Sequence, residues 1–172
     1  MQITSAAPAA GTLPASPKPL PKVRLATKDD LNEVIALGRD LHYENGLMPV
    51  DDEIITLAAT NAVSGRDGVV GVIGAPGRIE GLIFLSLRQF WYSNQTHLEE
   101  MFLYIKPQYR RTENAKTLIE FAKEAAIKLG VPLLIGVLSN EQTEAKVRLY
   151  QRRFGRPAGA FFLFNSLTGK KG

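Results

Sequence analysis

From Val23 onward, apolar residues recur at two spacings, every second position or every third to fourth, and the switches between them mark the predicted elements. Val23 to Ala26 reads as a short strand. Thr27-x-x-Asp30 has the form of a capping box with Asp in place of Glu. It opens a helix with apolar positions at Leu31, Val34, Ile35, Leu37 and Leu41. Gly46 and Pro49 end that helix, and Asp51 to Ala62 reads as a second one. Val69 to Ile73 and Ile79 to Leu87 are apolar strands joined by the turn Ala75-Pro76-Gly77, so they predict a hairpin.

After an aromatic and polar loop from Arg88 to Thr96, His97 to Ile105 is the next strand. A helix from Thr112 then carries Ala115, Leu118, Ile119, Ala122, Ala126 and Leu129, the spacing of one buried face. Gly130 suits its C′ position. Pro132 to Leu138 predicts a buried strand, and Ser139-x-x-Gln142 caps a last helix through Val147, Tyr150 and Phe154. Ala158 to Phe164 predicts a closing strand. The predicted order is β-α-α-β-β-β-α-β-α-β, a mixed α/β sheet. The three successive strands should pair antiparallel, and the β-α-β step from 97 to 138 should give a parallel pair.

Residues 1–22 break the pattern. Five of the ten prolines fall there, among alanine, serine and glycine, a composition that favours extended, solvated chain over a core. The expected organisation is a flexible tail over 1–22, one folded domain over 23–165 and a short C-terminal tail over 166–172.

Composition narrows the chemistry. The chain has no cysteine, which excludes disulfides, thiolate metal sites and a cysteine nucleophile. His42 and His97 are its two histidines, too few for an ordinary zinc centre, so no metal is expected. A net charge of +4 favours anionic partners, although Lys18, Lys22, Lys170 and Lys171 lie in the expected tails. No apolar run approaches a membrane span, and the N-terminus lacks the pattern of a secretory signal. A cytoplasmic protein without a membrane partner is the expectation.

The strand-turn-helix around Tyr109-Arg110-Arg111-Thr112-Glu113-Asn114-Ala115-Lys116 is the first candidate site. A helix start presents unpaired N–H groups and the positive end of its dipole, and two guanidiniums beside it suit a phosphate-bearing ligand. Glu113 adds a negative charge there, a penalty of about 1 to 4 kcal/mol at 4 Å for effective dielectrics of 80 to 20. Arg110 and Arg111 can offset it, or the carboxylate can turn to solvent. The plainer reading is a solvated basic end in which Glu113 complements the dipole.

Here the chain resembles the GNAT superfamily of N-acetyltransferases, in element order across residues 23–165 and in the run Leu103-Tyr104-Ile105-Lys106-Pro107-Gln108-Tyr109-Arg110-Arg111. That run is similar to the family's fourth strand and the turn into its cofactor helix. The family pattern is Arg/Gln-x-x-Gly-x-Gly/Ala; Arg110 fits its first position and Ala115 its last, while Glu113 replaces the middle glycine. The resemblance implies acetyl-CoA as cosubstrate, with pantetheine along the backbone of Leu103, Tyr104 and Ile105. Its pyrophosphate would lie against Arg110, Arg111, Thr112, Glu113, Asn114, Ala115 and Lys116.

The C-terminal run is the second point of resemblance. Many members read Asn, Ala, Leu-Tyr, then Gly-Phe; here Asn140 and Leu149-Tyr150 stand in that order, with a longer gap and a Phe-Gly ending. The resemblance makes Asn140 a cofactor contact and Tyr150 the general acid that protonates the departing thiolate. A phenol with an ordinary pKa near 10 is protonated at neutral pH, as that role requires. Without the resemblance, Tyr150 reads as a core tyrosine. For the base that takes the amine proton, Glu99 and Glu100 are the candidates. Strand alternation puts them on opposite faces, and Glu100 is preferred; both can equally be surface ion pairs.

Gln89-Phe90-Trp91-Tyr92 either borders an acceptor pocket, covers a sheet edge or forms a dimer contact, so a homodimer stays open. Arg148, Arg152, Arg153 and Arg156 read first as a solvated helix face. The expected activity is acetyl transfer to a primary amine, small-molecule or peptide, by direct attack. The alternatives are a noncatalytic relic of the fold acting as an interaction module, and a nucleic-acid-binding domain. Against the last, the basic residues do not alternate with aromatics along a stacking strand.

Overall fold

The two faces of one long strand sort the molecule into two cores. In the computed structural model, which describes residues 21–138 and 143–162, β3 (Arg78–Gln89) sends Ile79, Leu82 and Phe84 to one face, and Ile83 and Leu85 to the other. It stands central in a five-stranded sheet of order β1-β2-β3-β4-β5, with β1 at Val23–Leu25, β2 at Gly68–Ala75, β4 at Thr96–Ile105 and β5 at Leu133–Leu134. The first three pairings are antiparallel, and β4 with β5 is parallel; the pairings among β2, β3 and β4 and the parallel pair are those the sequence pattern led us to expect.

Helices α1 (Leu31–Asn45) and α2 (Asp52–Val63) cover the first face through Val34, Ile35, Leu37, Ala59 and Ala62. Helix α3 (Asn114–Leu129) covers the second through Leu118, Ala122 and Ala126. Each fully buried Leu or Ile there contributes about 1.5–3 kcal/mol relative to exposure. Helix α4 (Thr143–Phe154) lies beside α3, where Lys123 donates to the Arg153 carbonyl at 3.1 Å and sits over the Phe154 ring.

The predicted capping box forms, with the Thr27 N–H donating to Asp30 Oδ2 at 2.8 Å; one 3-10 turn, Lys28–Asp30, precedes α1. Arg24 grips the same carboxylate through two bonds of 2.7 and 2.8 Å. Gly130 ends α3 in the left-handed conformation at φ 67°, which a C′ glycine adopts at little cost. Helix α3 starts at Asn114 rather than Thr112, because Arg111 is itself left-handed at φ 65° and the Thr112 hydroxyl accepts from the Asn114 N–H.

Two strand expectations are corrected. The strand expected over 132–138 pairs only at Leu133–Leu134, since Pro132 has no N–H to add a rung and the chain leaves β4 after Glu99. The strand expected over 158–164 is absent from its described part, 158–162, where Phe161 and Phe162 are exposed; its last residues, and the cap at 139–142, lie outside the described residues. With β5 only two residues long, no strand among the described residues borders that segment.

Candidate active site

The site lies where β4 and β5 part. Their ladder consists of Leu98 with Leu133 and Glu99 with Leu134, and the Leu98 N–H donates to the Pro132 carbonyl at 2.8 Å. Beyond Glu99, no strand among the described residues pairs with that edge of β4. On the other edge, the Lys106 N–H donates to the Glu80 carbonyl, so alternation turns the amides of Tyr104 and Phe102 toward β3 as well. The peptide groups of Leu103 and Ile105 therefore face the open edge. Tyr104 does not offer its backbone there; its side chain is buried on the α1–α2 face, and its hydroxyl donates to Glu44 at 2.8 Å.

A register shift between Phe84 and Leu85 puts Phe102 opposite Phe84 but Glu100 opposite Leu85, leaving Met101 as the extra residue of a bulge. Glu100 consequently shares a face with Leu98, toward α3 and α4, and its neighbour Glu99 takes the other face. Glu99 Oε2 lies 3.9 Å from Arg88 and 3.8 Å from His97, a partly exposed cluster.

Glu100 meets Tyr150. The Tyr150 hydroxyl on α4 stands 3.0 Å from both carboxylate oxygens. Burial pushes the Glu100 carboxyl up to about 7, against the opposing pull of the Tyr150 hydroxyl, the Lys146 charge and the Gly136 amide. Burial, with the Glu100 charge and hydrogen bond behind it, drives the Tyr150 phenol far above its ordinary value. The contact joins the residue preferred as base to the one preferred as acid. Lys146 also reaches Asn45 Oδ1 at 3.2 Å, linking α4 to the end of α1.

The turn into α3 is built differently from the expectation of two free guanidiniums. Arg110 donates from Nε to the Ile105 carbonyl at 3.0 Å and from Nη2 to both oxygens of Glu44, while its guanidinium lies over the Tyr104 ring. Its role is to pin the turn to α1. Arg111 is exposed, and Thr112 donates to the Tyr109 carbonyl. Glu113 pairs with Lys116 at 2.9 Å and is more than half exposed, with no capping bond to the helix start. The first helical bond of α3 runs from the Thr117 N–H to the Glu113 carbonyl, so the amides of Ala115 and Lys116 head the helix without intrahelical partners. The buried Asn114 side chain donates to Glu80 at 2.9 Å. Asn140 lies outside the described residues.

The family model for the acetyltransferase (GNAT) family matches residues 39–155. The chain belongs to that family. It is an N-acetyltransferase. No curated protein sequence matches it. Among solved structures, the aminoglycoside N-acetyltransferase AAC(6')-Iy, in complex with the bisubstrate analogue CoA-S-monomethyl-acetylneamine, is 15% identical. The match covers 84% of this chain and 97% of that one, with a TM-score of 0.67. A predicted acetyltransferase from Clostridium acetobutylicum, with acetyl-CoA, is also 15% identical, with 87% and 97% covered and a TM-score of 0.67. A possible acetyltransferase from Clostridium difficile 630 is 17% identical, with 87% and 99% covered and a TM-score of 0.65. At such identities the likeness establishes the fold.

For this GNAT chain, Glu44, Glu80 and Lys146 are site neighbours that sequence reasoning missed. Each acts across 34 to 101 residues of chain, and no local spacing announces such a contact. The aromatic loop stacks on itself, Phe90 on Tyr92 and on His97, and leaves Trp91 95% exposed. Arg148 pairs with Glu144 and Arg153 lies near Glu120, as on a solvated helix face. Among the described residues no helix is long and apolar enough to cross a membrane, and no cluster of three or more His, Asp or Glu can hold a metal ion.

Proposed function

We propose that the chain acetylates the primary amine of a small molecule by direct attack on the thioester, with Glu100 as general base and Tyr150 as general acid. The observation that carries this reading is the 3.0 Å contact of the two side chains beside the open edge of β4. A carboxyl raised to about 7 is matched to taking a proton near neutrality. The phenol stays protonated at neutral pH, and uptake of the amine proton by Glu100 removes the carboxylate charge that helps to raise it, which frees its proton for the thiolate. Acetyl-CoA, when bound, supplies the activated acetyl group and the thiolate leaving group.

The residues present fit that cosubstrate. Leu103 offers its outward N–H and carbonyl, and Ile105 its outward N–H, to an extended pantetheine, while Arg110 holds the Ile105 carbonyl. The amides of Ala115 and Lys116, at the positive end of α3, suit the pyrophosphate, with Arg111 exposed beside them. Glu113 turned to Lys116 leaves that place clear of its carboxylate. A small-molecule acceptor is supported by AAC(6')-Iy, whose complex holds a CoA-acetylneamine analogue. We take the reaction to be cytoplasmic, as composition led us to expect.

Calorimetric titration with acetyl-CoA should show binding, and a panel of small primary amines should release free thiol with at least one. Absence of binding at high micromolar acetyl-CoA would favour the noncatalytic relic. Tyr150→Phe should lower turnover about 10²-fold with affinity for acetyl-CoA nearly intact; unchanged turnover removes the acid assignment.

A further inference from the structure

The separation expected of an acid and a base serving different atoms is missing here: the Tyr150 hydroxyl touches both oxygens of Glu100 directly. We propose that Glu100 and Tyr150 form a single proton relay, in which the proton taken from the attacking amine is the one that replaces the proton given to the departing thiolate. This deepens the proposed acetyl transfer and rests on it.

The steps balance. Glu100 takes H⁺ from the amine nitrogen, so an N–H bond breaks and a carboxyl O–H bond forms. The nitrogen forms its bond to the acyl carbon and the C–S bond breaks, its electron pair leaving with sulfur. Tyr150 gives its hydroxyl proton to that sulfur, so an O–H bond breaks and an S–H bond forms. The vacated phenolic oxygen then takes the proton of Glu100 across the existing hydrogen bond. One proton has passed from nitrogen to sulfur, and the pair is back in its starting state.

Three features favour this over independent exchange with water. Tyr150 is held in a site where a phenolate beside a carboxylate is strongly disfavoured, so its proton must be replaced at once. Glu100 is the titratable group bonded to its hydroxyl, and the two oxygens are equally placed to receive and return a proton. The other groups facing Glu100 keep the carboxylate in place: Lys146 from the same helix as Tyr150, and the Gly136 amide from the chain after β5. Glu99, on the opposite face, lies instead beside Arg88 and His97.

The test is a double-mutant cycle with Glu100→Gln, Tyr150→Phe and the pair, read as kcat at saturating acetyl-CoA and amine, with acetyl-CoA affinity measured by calorimetry in each. For a relay, each single change lowers kcat about 10²-fold or more, and the pair loses no more than about threefold beyond the worse single. The solvent isotope dependence should be curved in the wild type, from more than one proton in flight, and linear in Tyr150→Phe. Losses that multiply, on the order of 10⁴-fold in the pair, overturn the relay while leaving separate acid and base roles standing. Single variants that bind acetyl-CoA and turn over like the wild type overturn both readings. Glu100→Asp, one methylene shorter, keeps a base but breaks the 3.0 Å contact, so the relay requires it to be as slow as Glu100→Gln.

Discussion

Arg110 Nη2 lies 2.8 and 2.6 Å from the two carboxylate oxygens of Glu44, so the turn that starts α3 is tied to the last turn of α1, across 66 residues of chain. The same carboxylate accepts from the Tyr104 hydroxyl, and Arg110 also holds the Ile105 carbonyl. Both charged partners are more than a third exposed, so solvent screening limits what the pair contributes to stability. Its larger effect is on geometry, because it connects α1 to the turn into α3.

Glu44→Gln should therefore cost only about 0.5–1 kcal/mol in urea unfolding. It should raise the KM for acetyl-CoA several-fold with kcat little changed, since the turn is loosened while Glu100 and Tyr150 stay in place. A drop in kcat at unchanged KM would place Glu44 in the chemistry instead. The Tyr104 phenol, pushed up to about 12 chiefly by burial and then by Glu44, should titrate closer to its ordinary value in this variant, as read by ultraviolet absorbance.

Two carboxyl groups set opposite pH trends. Asp30 is held down to about 2, first by its bond to Arg24, so its stabilising contribution is complete above about 3.8 and lost as pH falls toward 2. Glu100 is raised from 4.5 to about 7, so the unfolded chain releases its proton first, and stability declines as pH rises between those values. These two groups together place maximal thermal stability near pH 4–5. Glu100→Gln should abolish the decline and be more stable than the wild type at pH 8, on the order of 2 kcal/mol. In the wild type, kcat/KM should rise with pH through a limb near 7, as expected of a base that must be deprotonated.

Gly71 marks a close approach between sheet and helix. A Cβ there would stand 2.5 Å from the Phe121 ring, nearer than packed carbons tolerate. Gly71→Ala should cost about 1–3 kcal/mol by overpacking, and Phe121→Leu in the same chain should recover part of it. Denaturant unfolding of the three variants measures this, and additive losses would show that the ring can move aside.

Glu113 stands at the middle-glycine position of the pattern that this turn resembles, yet its carboxylate is committed to Lys116. Its backbone is right-handed helical, at φ −77°, so a glycine is not needed for conformation. Glu113→Gln should change acetyl-CoA affinity less than about threefold, as the exposed pair is worth only a few tenths of a kcal/mol. Tightening beyond tenfold in calorimetry would mean that the carboxylate faces the phosphates.

Much of this was legible in the residues themselves. The periodicity of 31–41 and 115–129, the Thr27–Asp30 box and the Gly130 stop specify helices through local interactions, which need no knowledge of distant chain. The alternation over 79–87 and 97–105, with the Pro76-Gly77 turn, likewise specified strands and their pairing. The family resemblance nominated Tyr150 by its motif position, and Glu99 or Glu100, with Glu100 preferred, by their place on the strand. What sequence could not supply was the partner of each polar group. The bulge at Met101 chose which glutamate faces α4, Glu44 claimed Arg110, and a two-residue β5 left the edge of β4 beyond Glu99 without a partner strand among the described residues. These outcomes depend on where distant elements come to rest. A buried charge is stabilised by whatever neighbour the fold brings within about 3 Å, and no local spacing encodes that neighbour.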